Sequence, residues 1–171
     1  MTKRIAISGS WRTVDAVVES DVRQCVREIC GRGDSVVTGG ALGVDFIATD
    51  EVLKITPVHP AILIYLPTPL VVFYAHFRAR AAEGVITPDT AETLIHQIDQ
   101  VHRANPAAII EGPFDRCNPE TYHTRNGWII DAANELCAFH VNESEGVQDA
   151  VDKAHARGIP VRHYRYTIPA R

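Results

Sequence analysis

The stretch SVVTGGALGVDFIATDEVL, residues 35–53, decides the fold. A β-branched run ends in two glycines. A third glycine and an aspartate follow. The pattern then turns helical, with Val44, Ile47, Ala48 and Val52 on one face. Strand, small-residue turn and amphipathic helix together make one β–α unit. Glycine in the turn permits positive φ and a close approach to the backbone. The helix start behind it presents unpaired N–H groups and the positive end of a dipole, which suits an anion. Asp45 conflicts with that reading, because close like charges repel strongly where screening is poor. Two roles remove the conflict and stay open. The carboxylate can complement its own helix start, worth about 0.5–1 kcal/mol, or it can accept hydrogen bonds from ribose hydroxyls.

Working outward, the same unit recurs. KRIAIS (3–8) predicts a buried strand, Gly9-Ser10 a turn, and the apolar spacing over 14–30 a helix stopped by Gly31 and Gly33. AILIYLP (61–67) predicts a third strand. Further along, 70–84 reads as a helix with an aromatic face, and Thr87-Pro88-Asp89 as the capped start of a helix reaching about Arg103. Residues 107–112 read as a short strand, 113–123 as a loop and 127–134 as a helix. A strand at 135–141, a helix at 147–158 and a strand at 159–166 complete the chain. The expected fold class is α/β, a Rossmann-like three-layer sandwich with a mainly parallel central sheet. The expected domain organisation is one unit over 1–171 with a helical segment inserted at about 70–118, whose helices would offer a homodimer contact.

Composition narrows the function. The 171 residues carry a formal charge of −4, which argues against nucleic acid as a partner, since a dedicated duplex binder carries a basic face. The four cysteines form no C-x-x-C, and the eight histidines lack ligand spacing, so no metal is expected. His96, Asp99 and His102 drift round their helix and read as a solvated face. No apolar run approaches the roughly 20 residues of a membrane helix, and no signal peptide precedes the first strand, so the expected location is cytoplasmic, with no membrane partner. G-x-G-x-x-G, G-K-[ST] and G-x-S-x-G are all absent, which disfavours an ordinary dinucleotide fold, a P-loop and a nucleophile elbow. Three small-residue turns, at 8–12, 38–43 and 142–147, should share the carboxyl edge of the sheet, where ligands bind.

GSWR after the first strand, GGALGVD after the second, then RNGWIIDAANELCAF and EGVQDAVDKAHARGIPV stand in an order that resembles the SLOG superfamily. That Rossmann-like group includes the DNA-processing protein A core and the Lonely Guy enzymes. The resemblance covers about 4–66 and 122–164. It implies a pocket for a nucleotide or nucleotide derivative and no cofactor. Gly9, Ser10 and Arg12 would meet phosphate or base, although Trp11 intervenes before the arginine. Gly39, Gly40, Ala41 and Gly43 would cradle phosphate, with Asp45 at the ribose or at its helix end. Arg125 and Asn126 would reach in from across, Asn126 standing equally well as a helix cap, and Gly146 and Val147 would close the pocket. Lonely Guy enzymes carry P-G-G-x-G-T-x-x-E. Here Val147 replaces the threonine and Ala150 the glutamate. Loss of that carboxylate weakens a glycosidase reading. The resemblance therefore points to a non-catalytic sensor or carrier. The alternative is an N-glycosidase or phosphoribohydrolase using a spare carboxylate among Asp45, Glu111, Glu143 and Glu145, so enzymatic activity stays open.

Overall fold

A computed structural model describes residues 1–56 and 61–170. Six strands form one sheet: β1 (Arg4–Gly9), β2 (Ser35–Thr38), β3 (Ile62–Leu66), β4 (Ile109–Glu111), β5 (Glu135–Val141) and β6 (Val161–Tyr166). Their order is β4-β3-β2-β1-β5-β6, and every pairing is parallel. Six helices connect them: α1 (Ala16–Gly31), α2 (Val44–Ile55), α3 (Leu70–Ala82), α4 (Pro88–Ala104), α5 (Pro119–Ala132) and α6 (Glu145–Arg157). This is the expected Rossmann-like α/β sandwich. From β1 the chain steps outward through β2 and β3 to β4. It then returns across the sheet through α5 and continues on the other side with β5 and β6. The winding therefore reverses between β1 and β5, which opens a crevice at the carboxyl ends of those two strands.

Strand alternation divides the core between the two faces of the sheet. Ile5, Ile7, Val36, Ile64, Leu66 and Phe139 point to one side and pack with α1, α2, α3 and α4. Ala6, Val37, Leu136 and Ala138 point to the other and pack with α5 and α6. The second face is built from smaller side chains, including Ala133, Ala150 and Ala154. Helices α1 and α2 are also tied by charge. Glu51, 6% exposed, accepts from Arg23 at 2.9 Å and from Arg27 at 2.8 Å. Burial pushes its carboxyl up, but the two guanidiniums outweigh that and hold it below its ordinary value.

Local signals set the helix ends. Asp15 caps α1 by accepting from the Val17 and Val18 amides, so that helix starts two residues later than its apolar pattern does. Thr87 caps α4 ahead of Pro88, as the sequence predicts. The loop expected at 113–123 is corrected from residue 119 on. Helix α5 begins at Pro119, well before 127, behind a capping box in which Asn118 and Thr121 bond each other's backbone amides. Reciprocal capping with proline at the first position stabilises a turn made of weak helix formers. Asn126 accordingly lies inside α5 and is not its cap.

Candidate functional site

A cleft of about 660 Å³ lies at the crevice between β1 and β5. Its walls are the turn after β1 (Gly9–Thr13), the turn after β2 (Gly39, Ala41, Leu42 and Asp45) and the turn after β5 (Val141–Gly146). All three turns expected at the carboxyl edge therefore meet in one place. Of the expected site residues, Gly9, Ser10, Arg12, Gly39, Ala41, Asp45, Arg125, Asn126 and Gly146 line the cleft. Gly40, Gly43 and Val147 do not. Val147 is buried among the α5 and α6 side chains. A fourth wall lies outside the expected site residues. Helix α3 and the turn after it contribute His76, Phe77, Arg80, Val85 and Ile86, and the start of α5 with the two residues before it contributes Cys117–Pro119, Tyr122 and His123. Arg78 and Arg80, two arginines within the helix predicted at 70–84, are a sequence signal for this wall. Of these, Arg80 lines the cleft, whereas Arg78 bonds Glu92 outside it.

The glycines make room for protein. A Cβ on Gly9 would overlap Val44, one on Gly39 would overlap the Arg125 guanidinium, and one on Gly43 (φ +70°) would overlap the Ser10 carbonyl and the Trp11 backbone. The turns after β1 and β2 are thus pressed together, and the Val44 amide donates to the Ser10 carbonyl at 3.0 Å. Asp45 fills the anion position of its own turn. Its Oδ2 accepts from the Gly39 amide at 3.0 Å and the Ala41 amide at 3.2 Å. It is 7% exposed. Burial pushes its carboxyl up, against the pull of Arg125 and the two amides.

Arg125 projects from α5 beneath the cleft and is also 7% exposed. Its Nη1 donates to the Gly39 carbonyl at 2.5 Å and its Nη2 to Asn126 Oδ1 at 3.4 Å. Its guanidinium carbon lies 5.1 Å from the Tyr122 ring centroid. Its Nε–H has no partner among the described residues. Asp45 attracts it through space, yet no carboxylate among the described residues stands within ion-pair distance, and burial lowers its pKa. A buried cation without a paired carboxylate is destabilised by several kcal/mol. In the same cleft, α6 begins behind its N-cap Ser144, which gives no side-chain cap and leaves the amides of the first turn open. Asn126 ties the two elements together, donating to Asp149 Oδ2 at 3.0 Å and, at 3.5 Å, to the Gly146 carbonyl.

The spare carboxylates separate. Glu143 and Glu145 line the cleft. Glu111 instead accepts from the Leu70 amide and caps α3. Asp149 is taken by Asn126 and Lys153. On the fourth wall, Tyr122 Oη lies 3.3 Å from His76 Nε2. Burial, then Arg80, lowers the His76 pKa, and burial pushes the Tyr122 hydroxyl above its ordinary value. No described helix is long and apolar enough to cross a membrane.

No family model and no curated protein matches the chain. Solved structures do match. DNA processing protein A from Helicobacter pylori, described with a single-stranded DNA binding mode, superposes with a TM-score of 0.66 at 22% identity, over 99% of this chain and 66% of that one. The Streptococcus pneumoniae protein of the same name gives 0.65 at 18%, over 99% and 51%. The chain thus spans between half and two thirds of their length. The molybdenum cofactor binding protein from Rippkaea orientalis gives 0.60 at 15%, over 99% and 78%. These matches correct the expectation that nucleic acid is an unlikely partner, since a protein of this fold binds single-stranded DNA. A whole-chain charge of −4 is an average over the surface, whereas a single strand needs only a groove with local cations and stacking surfaces. Arg12, Arg80 and Arg125 all line this cleft. At these identities the likeness concerns architecture alone, a Rossmann-like α/β fold.

Proposed function

We propose that the cleft binds the phosphate of a nucleotide-type ligand, and that the protein works as a sensor or carrier of that ligand. One observation carries the reading. Among the described residues Arg125 is buried at the cleft with an unused Nε–H and no carboxylate in ion-pair contact, and the start of α6, without a side-chain cap, lines the same cleft. A phosphate there would neutralise the guanidinium and accept from open helix amides. The Gly39 and Ala41 amides are already satisfied by Asp45, so the anion site is assigned to Arg125 and α6, away from the glycine turn. The sensor reading is supported by Ala150, which lines the cleft where the resembling enzymes carry a glutamate. Free nucleotides and single-stranded oligonucleotides both present the required phosphate, and structures of the same fold bind a cofactor or single-stranded DNA.

Calorimetric titration of the full chain with nucleoside monophosphates, ribose 5-phosphate and a short oligothymidylate tests the proposal. Arg125→Met should weaken whatever binds by about 10-fold or more, the loss of one charge-assisted contact. Unchanged affinity in that variant would sink the assignment. Glu143 and Glu145 favour the second reading, hydrolysis of the N-glycosidic bond. Mass spectrometry of the same incubations decides between the two. Intact nucleotide fits a sensor; released base, abolished by alanine at Glu143 or Glu145, fits a hydrolase.

A further inference from the structure

We infer that Trp11, backed by Arg12, is a stacking platform for a planar heteroaromatic ring carried by the phosphorylated ligand; this rests on the anion site proposed above. Among the described residues Trp11 is the one exposed phenylalanine, tyrosine or tryptophan, at 41%, and it lines the cleft. Large apolar side chains at the surface are common, but an indole left half open inside a cleft, while every other such ring packs, calls for a ligand. Trp128, the other tryptophan, stacks on Phe114 at 5.8 Å between centroids and is absent from the cleft lining.

The backbone beneath Trp11 is fixed. Gly43 closes onto the Ser10 carbonyl and the Trp11 backbone. The Thr13 amide donates to Ser10 Oγ at 3.1 Å, and the Val44 amide to the Ser10 carbonyl. Arg12 lies over the indole, its guanidinium carbon 4.3 Å from the ring centroid. A cation on one face orients the ring and leaves the other for an aromatic partner. Base–aromatic stacking tolerates any base, because every base has a π-face. The cleft then has two ends with different chemistry, an anion end at Arg125 and α6 and an aromatic end at Trp11. A nucleotide satisfies both; a sugar phosphate satisfies only the first.

The test titrates the full chain carrying Trp128→Phe, so that fluorescence reports Trp11 alone, with AMP, UMP and ribose 5-phosphate. Both nucleotides should quench the emission and bind about 10-fold tighter than ribose 5-phosphate, the scale of one stacked base. Trp11→Ala should abolish that advantage and leave ribose 5-phosphate affinity unchanged. Trp11→Phe should keep most of it. Thermal melts of both variants establish that they fold. Equal binding of nucleotides and ribose 5-phosphate overturns the platform and leaves the anion site standing, as does a Trp11→Ala loss shared by all three ligands. Failure of all three to bind the parent protein overturns both.

Discussion

At the scale of single residues, the glycines after β2 answer to protein geometry. Gly43 and Gly84 make a controlled pair. Both hold positive φ, +70° and +75°, but a Cβ on Gly43 meets the Ser10 and Trp11 backbone whereas one on Gly84 meets open space. Gly84→Ala should therefore lose only the backbone preference, about 1 kcal/mol. Gly43→Ala adds an overlap with atoms that cannot rotate away, and should destabilise by about 3 kcal/mol or more. Urea denaturation of the two variants gives the difference directly, and equal losses would show that the two turns are not held in register by this contact. The sequence exposed the glycines but not what they face. Spacing reports that a turn is tight, while the identity of the opposing group, here Arg125 arriving from 86 residues away, is fixed only by the fold.

At the scale of elements, the legible parts were those whose period and punctuation agree. Helices α1 and α4 combine an apolar stripe with an N-terminal cap. Strands β1, β2 and β5 are apolar runs closed by small or polar residues. Helix α5 was read only from its second half. Its first turns turn Tyr122, Arg125 and Asn126 toward the cleft, so the face that is buried is polar and the apolar period vanishes. Its start rests on Asn118 and Thr121 instead, whose reciprocal bonds measure 2.9 and 3.0 Å. Asn118→Ala should cost about 1 kcal/mol of global stability, the usual worth of an N-cap. Because α5 carries Arg125, hydrogen exchange should also speed up across 119–125 before the rest of the molecule responds. Uniform acceleration would mean that α5 has no independent fraying. A functional wall is thus hard to read for the same reason that it is functional: it buries groups that want water or a ligand.

At the scale of the whole molecule, acid stability separates into windows of opposite sign. Burial is the first cause lowering the pKa of His76, His140 and His163, and Arg165 and Arg80 add to it nearby. His140 and His163 face each other across β5 and β6, Nδ1 to Nε2 at 3.0 Å, with parallel rings. Two protonated imidazoles at that distance repel, and burial and Arg165 outweigh the opposing pull of Glu143 and the Ser144 backbone on His140. The folded chain therefore binds fewer protons than the unfolded one just below the ordinary histidine value of 6.5. Stability from these groups is full above that value and is lost as the pH falls through their lower folded values. Asp50 and Glu51, held below 3.8 and 4.5, keep their contribution through that window and lose it only under stronger acid. Asp45 acts in the opposite sense. Its raised carboxyl favours the folded chain on the acid side, and this partly offsets the histidine loss once the pH reaches the carboxylate range. Between pH 7 and 5.5 the histidines should dominate, and the midpoint of thermal unfolding should fall. A His140→Gln, His163→Gln double variant keeps hydrogen-bonding side chains and removes both charges, so its midpoint should hold nearly level across that interval. A slope as steep as that of the parent would place the acid sensitivity elsewhere, with His76 beside the cleft as the remaining imidazole to test.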